Sequence, residues 1–393
     1  MSLANEASLL LIPSGYKSGI VYSVFPTDGD GDFTFSRGSD GTRKGAGGLV
    51  ETMSSNIPRL DYSNGDCPSL LLEPERTNEF TYSEEFNQSV WFKSNSTITT
   101  NQIIAPDGTL TADLLTSTAS GGGVYKFGAW STTEKTISIF VKKNSSNIAE
   151  IFNASSSTNR VVFDLNNGTI STQGGTMTGK IEDFANDWYR LSATHTATAS
   201  QTFGLKPSPN LSLFIWGAQS ESAAYSTNYI KTTSGIVTRQ KDICINGGDA
   251  DLFNITEGTL FVNVTPYIYP SANTYISFND GGSSDRFVFI FQSYGTAVRL
   301  FGVSSGSNFL SNYQTITFNQ KNKIAITFKQ NQFKIYVNGL LKYTDTSGNV
   351  PIGLNQLDFT EHNGNRNFQG KVHDIRVYDR VLTQAEAIEL TTL

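Results

Sequence analysis

Three aspartates near the start of the sequence have the spacing of a cation site. Asp28, Asp30 and Asp32 alternate with glycines, as the carboxylates at the start of a calcium loop do when they converge on one hard cation. The rest of such a loop is missing, because its sixth position is Phe33 instead of glycine and its twelfth is Ser39 instead of glutamate. The pattern therefore favours a solvated turn, and Ca²⁺ is the only cofactor that the sequence leaves open.

The acidic residues offer no pair suited to polysaccharide cleavage. That chemistry needs two carboxylates about 5 to 9 Å apart, and the string Glu-x-Asp-x-x-Glu, which would offer them on one strand face, does not occur. The adjacent pairs Glu84-Glu85 and Glu182-Asp183 project to opposite faces of a strand, and carboxylates tend to stay solvated. We therefore expect these four residues at the surface and no enzymatic activity.

The three histidines lie in no serine, cysteine or metal motif of recognisable spacing. His373 alternates with Ile375 on a predicted strand, which favours a structural role. His362 lies in the polar segment 360–367, where it either faces a ligand or is simply solvated. Solvation is the favoured reading, since it is the usual state of a loop histidine.

A cluster of tyrosines and polar loops in the last third of the sequence has the composition of a sugar site. An exposed aromatic ring stacks on the apolar face of a sugar, while Asn, Asp or Arg side chains bind its hydroxyl groups. The same composition also suits core tyrosines and asparagine-rich turns, so a structural reading stays open. The candidate carbohydrate-binding residues are Tyr267, Tyr269, Tyr275, Asp280, Asp285, Arg286, His362, Asn363 and Asn365.

The four tryptophans are expected mainly in cores. Trp216 belongs to an alternating apolar run and Trp188 to another strand, so both are predicted to be buried. Trp91 and Trp130 are more ambiguous, and Trp130 beside Gly128 is a candidate for a half-exposed position near a loop. Core or interface packing is still favoured for both, because tryptophan is seldom left uncovered without a partner.

Composition limits the class of protein. The 393 residues suffice for two or three domains, and 12% aromatic with 16% charged residues and 35 glycines indicate a β-rich globular chain. A net charge of −6 without a basic tract argues against nucleic acid, and no apolar stretch reaches the roughly 20 residues that span a bilayer. The first residues lack a signal-peptide pattern, so export by that route is not expected. Cys67 and Cys244 are too few for a disulfide framework, and two reduced thiols are favoured.

Short alternating runs separated by turn residues predict an all-β fold. The segment 323–343 is predicted to form consecutive antiparallel strands, with turns at 330–332 and at Asn338-Gly339. Thr383 and Glu386 form a capping box before one short C-terminal helix. We expect two β-sandwich (jelly-roll) domains in series, over 76–245 and 251–393, after an extended N-terminal arm over 1–75.

Several motifs follow one another along the first part of the chain. They are FTFSRGSDGTR (33–43), GLVE (48–51), NIPRLDY (56–62), LLLEPERTN (70–78), YSEEF (82–86) and Trp91. In this order they resemble an N-terminal module that recurs in tailed-bacteriophage virion proteins. The later motifs LFIWGAQSE (213–221), YSTNYI (225–230) and VTRQKD (237–242) look like the closing strands of a carbohydrate-binding-module-like jelly roll attached to that module. The segment 251–393 is similar to the concanavalin-like laminin-G or pentraxin sandwich.

The resemblance implies a phage virion structural protein, either a tail or tail-fibre adsorption component, whose lectin-like domains attach to host surface glycans. A capsid-decorating or head-fibre protein, held on the shell through its N-terminal arm, and a polysaccharide depolymerase are the alternatives. If the chain is a tail or tail-fibre component, its partners are other virion proteins and a host glycan. The chain itself is then expected to form a homo-oligomer, by preference a trimer. Such a particle would be assembled in the bacterial cytoplasm, with neither nucleic acid nor membrane insertion involved.

Overall fold

A computed structural model describes residues 2–63, 65, 67–253 and 256–393. Strands make up 49% of the chain and the described part has a single short α-helix at its C-terminal end, which confirms the predicted all-β fold. No helix among the described residues is long and apolar enough to cross a membrane.

The strands are numbered in chain order. The first nine are β1 (Leu9–Leu11), β2 (Tyr16–Lys17), β3 (Ile20–Val21), β4 (Phe33–Ser36), β5 (Gly41–Lys44), β6 (Val50–Met53), β7 (Leu60–Asp61), β8 (Ser69–Leu72) and β9 (Arg76–Asn78). Those of the middle part are β10 (Phe92–Ser94), β11 (Ser96–Ile103), β12 (Ala112–Ser117), β13 (Gly123–Trp130), β14 (Lys135–Lys143), β15 (Ile148–Asn153), β16 (Arg160–Asp164), β17 (Thr169–Gly174), β18 (Thr178–Phe184), β19 (Trp188–His195), β20 (Gln201–Pro207) and β21 (Ser212–Glu221).

The remaining strands follow the same numbering. They are β22 (Val237–Arg239), β23 (Ile243–Ile245), β24 (Glu257–Pro266), β25 (Thr274–Asn279), β26 (Arg286–Phe291), β27 (Ala297–Ser304), β28 (Ser307–Thr315), β29 (Asn322–Lys329), β30 (Gln332–Val337), β31 (Leu340–Asp345), β32 (Gln356–Asp358) and β33 (Gly370–Tyr378). Helix α1 is Gln384–Thr391, and two short 3-10 helices are Leu3–Glu6 and Ala250–Leu252.

The chain folds into two compact units that each combine separate stretches of sequence. The first unit consists of Met1–Asp40, Met53–Pro74 and Gln240–Leu393, and the second of Gly41–Thr52 and Glu75–Arg239. The sequence predicted three consecutive segments, whereas the structure has two units built from separate stretches of the chain. The sequence predicted for an arm, 1–75, is shared between the two units.

The first unit is a sandwich of an eight-stranded and a five-stranded sheet. The eight-stranded sheet has the order β31-β30-β29-β24-β33-β8-β7, with β1 also on β33, and the five-stranded sheet has the order β28-β27-β26-β25-β32. Inward-facing Phe, Ile, Leu and Val side chains of both sheets form one large core. The pairing of β29 with β30 and of β30 with β31 confirms the antiparallel strands predicted over 323–343.

The N-terminal strands belong to this core. Leu9–Leu11 pair antiparallel with Ile375–Val377 of β33 and are fully or almost fully buried. Leu60 of β7 and Leu70 of β8 face the same core. An apolar strand satisfies its backbone hydrogen bonds and buries its side chains most readily on an open edge of its own sheet. These residues are therefore engaged within the chain and do not form an extended arm.

A buried ionic network ties the N-terminal motifs to the stretch that follows the second unit in sequence. Arg59 donates hydrogen bonds to Glu73 at 2.6 Å and to Asp242, and Arg37 Nη1 lies 3.2 Å from Asp242 Oδ1. The same Arg37 guanidinium also donates to the backbone carbonyls of residues 39, 53, 54 and 57. The four charged side chains are at most 2% exposed. Motif residues thus serve as internal cross-links of the first unit.

Helix α1 covers the outer face of the eight-stranded sheet. Its capping box is formed as predicted, with Thr383 Oγ1 accepting from Glu386 N and Glu386 Oε2 accepting from Thr383 N. Ala387 and Leu390 pack with Tyr336 and Tyr378 of the sheet. The helix therefore covers part of this face.

The second unit is a jelly roll of two six-stranded sheets, ordered β10-β13-β20-β15-β16-β17 and β11-β12-β21-β14-β19-β18. Trp188 and Trp216 are buried, as predicted. Trp91 and Trp130 are fully buried as well, so the half-exposed position considered for Trp130 is corrected. Its ring lies edge-on to that of His195, at 5.3 Å between centroids, in the core between the sheets.

Glu84 and Glu221 are among the buried acidic residues of the second unit, against the general expectation for carboxylates. Glu84 was predicted at the surface but is 8% exposed, because Tyr229 Oη donates to it at 3.0 Å and Lys231 Nζ at 2.7 Å. Glu221 is also buried and accepts from Gln219 Nε2 and from the backbone N of Thr227. Burial raises the pKa of both carboxyl groups. Internal donors replace water at these sites.

Candidate functional site

The five-stranded sheet has one face in the core and one face toward solvent. Because side chains alternate along a strand, Phe287, Phe289 and Phe291 of β26 enter the core. Val288 and Ile290 of the same strand instead form a separate small cluster with Tyr275 and Phe301. This solvent-side face carries three arginines and three aromatic rings. We call it the arginine face and define it as Tyr275, Arg286, Arg299, Phe301, Tyr313 and Arg366.

Two guanidinium groups lie around one aromatic ring on this face. The Cζ atoms of Arg286 and Arg299 lie 5.9 and 4.5 Å from the ring centroid of Phe301. Arg299 also lies 5.5 Å from the ring of Tyr313, its direct cross-strand partner, and donates from Nε to Ser311 Oγ at 3.0 Å. Cation–π contacts of this kind fix the direction of an arginine side chain.

The loop after β32 brings further candidate residues to the face. His362 Nδ1 accepts a hydrogen bond from Arg286 Nη1, which requires a neutral imidazole with its proton on Nε2. Burial, and then the Arg286 charge, lower the pKa of His362. Arg366 Cζ lies 5.4 Å from the ring centroid of Tyr275 and its Nη1 donates to Tyr275 Oη at 3.1 Å. The structure therefore unites three predicted residues, Tyr275, Arg286 and His362.

The other candidates are placed differently. Asp285 is buried and accepts from the backbone N of Ser305 and of Ile352, so it holds loops together. Asp280 accepts from Gly282 N in the turn after β25. Asn363 and Asn365 are exposed on the loop beside His362, joined by a hydrogen bond from Asn365 N to Asn363 Oδ1.

Tyr267 and Tyr269 lie on another segment. They follow β24, and Tyr267 N donates to Gln369 O, immediately before β33 of the eight-stranded sheet. Both are half-buried. Between Pro266 and Thr274 the chain crosses from the eight-stranded to the five-stranded sheet. The backbone N of Tyr275 donates to Arg366 O, on the same segment that Tyr267 binds at Gln369.

Four of the six residues of the arginine face were not predicted from the sequence. Arg299, Phe301, Tyr313 and Arg366 come from β27, β28 and the loop after β32, and only the register of four strands brings them together. A signal was present in the alternation of Arg299, Leu300 and Phe301, which places the first and third side chains on one face.

A second exposed aromatic group was also missed, on the outer face of a sheet in the second unit. Phe92 of β10 is paired with Tyr125 of β13, and Tyr125 is paired in turn with Gly204 of β20. Phe152 of β15 pairs with Gly204 from the other side, and its ring lies over this glycine. Tyr125 and Phe152 rings are 5.7 Å apart, and Phe92 and Phe127 remain 48% and 66% exposed. The alternation of Tyr125 and Phe127 was its sequence signal.

The aspartates of the calcium-like string do not converge. Asp32 accepts from Ser23 N at 2.8 Å, whereas Asp28 accepts from Asp30 N. The charge of Asp28 raises the pKa of the exposed Asp30. Within the described ranges, no group of three or more His, Cys, Asp and Glu side chains is arranged to hold a metal ion. Cys67 and Cys244 are free thiols, the first exposed and the second buried.

The C-terminal segment of the chain is similar to a known family of domains. Residues 249–387 match the family model of the concanavalin A-like lectin/glucanases superfamily, of laminin-G type. This match lies inside the first unit and agrees with the resemblance noted for 251–393. The first unit therefore contains a sandwich similar to lectin-like domains. No curated protein matches the chain at a significant level.

Several solved structures are similar to part of this chain. The CBM40 of the Ruminococcus gnavus IT-sialidase, bound to alpha2,3 sialyllactose, is 18% identical, with 36% of this chain and 84% of that chain covered and a TM-score of 0.31. Domain 4 of AbnA, a GH43 extracellular arabinanase from Geobacillus stearothermophilus in complex with arabinotriose, is 15% identical, with 43% and 82% covered and a TM-score of 0.32. Similarity at this level carries no inference about a ligand.

Proposed function

We propose that this chain is a virion attachment protein of a tailed bacteriophage, a tail or tail-fibre component that binds host surface glycans through the arginine face. The observation that carries the proposal is the solvent-side sheet face on which Phe301 and Tyr313 lie among hydrogen-bond donors. The match of residues 249–387 to lectin-like domains supports the same reading. The phage assignment is supported by the order of the N-terminal motifs in the sequence.

The arginine face has the two components that a sugar ring needs. Tyr313 is 53% exposed and offers a ring on which the apolar face of a sugar can stack. Arg299 and the exposed Ser311 beside it supply donors for hydroxyl groups. Arg299 holds its position against both rings, so less conformational entropy is lost when a ligand binds.

The proposed role includes no catalytic step. Two buried carboxylates beside the five-stranded sheet are occupied by protein donors, and Glu361 lies 3.6 Å from Arg366. Asp285 binds two backbone N–H groups, and the buried Asp358 accepts from Asn246 N, Asn279 Nδ2 and Gln356 Nε2. A glycosidase needs one carboxylic acid free to protonate its substrate and a second group to act as base or nucleophile.

Repetition on a particle would give such a site its strength. Single lectin-like sites bind sugars weakly, but tethered copies engage a surface at high effective concentration. We propose a homo-oligomer, by preference a trimer, assembled with other virion proteins in the bacterial cytoplasm. Labelled antibodies against the chain, applied to intact particles, are expected to decorate the tail; label confined to the shell would favour the capsid-decorating alternative.

A glycan array probed with the full chain tests the binding function. We expect a set of bound glycans whose signal falls about tenfold in Tyr313→Ala, since stacking on one aromatic ring contributes on the order of 1 to 2 kcal/mol. Tyr294→Ala is the matched control, because Tyr294 is similarly exposed but lies in the turn between β26 and β27. An array on which nothing binds, or binding unaffected by Tyr313→Ala, would contradict the proposal.

A further inference from the structure

We infer that the ligand of the arginine face is an acidic glycan, one that carries a carboxylate or phosphate group. The inference rests on the proposed function, because it names the substrate class of the same site. It follows from the charges on the face and from the hydrogen-bond donors that the protein leaves unused there.

The face concentrates positive charge with little compensation. Arg286 and Arg299 lie around the single ring of Phe301, and neither has a carboxylate within 4.0 Å in the part of the chain that the structure describes. Only Arg366 has an acidic neighbour, Glu361, at 3.6 Å between Nε and Oε2. Like charges that surround one ring repel each other, and a bound anion offsets that repulsion.

The acidic residues nearby make no direct contact with Arg286 or Arg299 among the described residues. Asp285 and Asp358 are buried and their oxygens accept hydrogen bonds from backbone and amide groups of the sheet edge. Asp280 lies in the turn after β25, where it accepts from Gly282 N. None of the three forms a hydrogen bond or ion pair with Arg286 or Arg299 among the described residues.

Both arginines have N–H groups without a protein acceptor among the described residues. Arg286 Nε is buried and has no hydrogen-bond partner among the described residues, while its Nη1 binds the lone pair of His362. Arg299 uses only Nε, toward Ser311, which leaves its Nη groups toward solvent. Guanidinium groups with free N–H pairs match carboxylate and phosphate oxygens in bidentate geometry, which a neutral hydroxyl group cannot do.

Stacking and charge would then act on one sugar. The Arg299 guanidinium lies 4.5 Å from the ring centroid of Phe301 and 5.5 Å from that of Tyr313. A sugar stacked on the exposed Tyr313 would therefore bring its acidic substituent close to Arg299. The alternative is that both arginines only cover the rings, in which case their removal would lower stability without changing glycan selectivity.

The experiment compares the full chain with Arg286→Gln and Arg299→Gln on an array that holds acidic glycans and their neutral counterparts, including 3′-sialyllactose with lactose and oligogalacturonate with its methyl ester. We expect the bound set to be acidic and each variant to weaken it about tenfold. Binding should also weaken as NaCl rises from about 50 mM to about 500 mM. Lys342→Gln, which removes an exposed cation of β31 in the same unit, is the control for net charge and should leave binding unchanged.

The outcomes separate the inference from the proposed function. Neutral glycans bound equally well by wild type and both arginine variants would overturn the acidic ligand and leave glycan binding intact. No binding to any glycan would overturn both. Thermal unfolding of each variant completes the test, because an arginine variant that loses stability and keeps its acidic selectivity would assign these side chains to packing alone.

Discussion

Arg59 and Asp242, 183 positions apart in sequence, form an ion pair in which neither side chain has any exposure to solvent. Asp242 also accepts from Arg37 and from the backbone N of Glu73. Arg59 completes the network through Glu73. The residue types that make the N-terminal motifs recognisable are thus those that hold the first unit together from within.

Asp242→Asn is expected to lower the free energy of unfolding by about 3 to 5 kcal/mol, because two buried guanidinium groups lose their shared counter-charge. Urea denaturation of the full chain measures the loss. Glu51→Gln, which breaks the partly exposed pair with Arg43, is the control and should cost at most about 1 kcal/mol. Equal effects in the two variants would mean that the buried network contributes no more than a surface pair.

Trp130 and Phe127 provide a matched pair on one strand, β13, with 0% and 66% exposure. Trp130→Ala is expected to cost about 3 to 5 kcal/mol, because it leaves a cavity between the two sheets of the jelly roll. Phe127→Ala should stay within about 0.5 kcal/mol, since its side chain is mostly in water. Chemical denaturation compares them, and a small effect of Trp130→Ala would contradict its assigned burial.

The cap of helix α1 gives a local prediction. Thr383→Ala removes the acceptor for Glu386 N and is expected to cost about 1 kcal/mol. Thr346→Ala, at an exposed position outside any regular element, is the control and should be neutral. Hydrogen exchange of the α1 amides should rise in the first variant only. Unchanged exchange there would show that packing alone holds the helix.

His373 predicts a pH dependence of stability. Burial, with Lys321 and Lys371 nearby, lowers its pKa to about 4, and its Nε2 lies 2.9 Å from Thr265 Oγ1. The unfolded chain takes up this proton first, near pH 6.5. Neutral His373 therefore stabilises the folded state fully above about pH 6.5, and this stabilisation is lost as the pH falls toward about 4.

The comparison with His373→Gln isolates this effect. Groups with a raised pKa, such as Asp113 at about 6, where burial is the main cause, titrate in both proteins and cancel. The difference in unfolding free energy between wild type and variant should shrink as the pH falls from about 7 to about 4. A difference that does not change with pH would contradict the buried neutral state of His373.

Local patterns in the sequence predicted the features that depend on residues close to one another in the chain. Alternation gave the strands of 323–343, and the spacing of Thr383 and Glu386 gave the helix cap, because both depend on neighbours a few residues away. Burial of Glu84 depends on Tyr229, which is 145 positions distant, so no local pattern reveals it.

In the candidate site, too, residue types could be chosen from the sequence, whereas contacts between distant residues could not. Arg286 and His362 could be chosen by residue type and loop composition, but the contacts of Arg299 with Phe301 and Tyr313 depend on strand register. Register is set by turns and by the core together. The pairing of Leu9–Leu11 with β33 is likewise non-local, with 369 positions between Ser8 and its acceptor Val377.

A crystal structure of the full chain with a glycan selected on the array tests most directly whether the arginine face binds an acidic glycan. We expect a sugar ring stacked on Tyr313, with its acidic group within hydrogen-bond distance of Arg299 or Arg286. A sugar bound elsewhere, for example on Phe92 and Phe127 of the second unit, would contradict the assignment of the arginine face as the binding site.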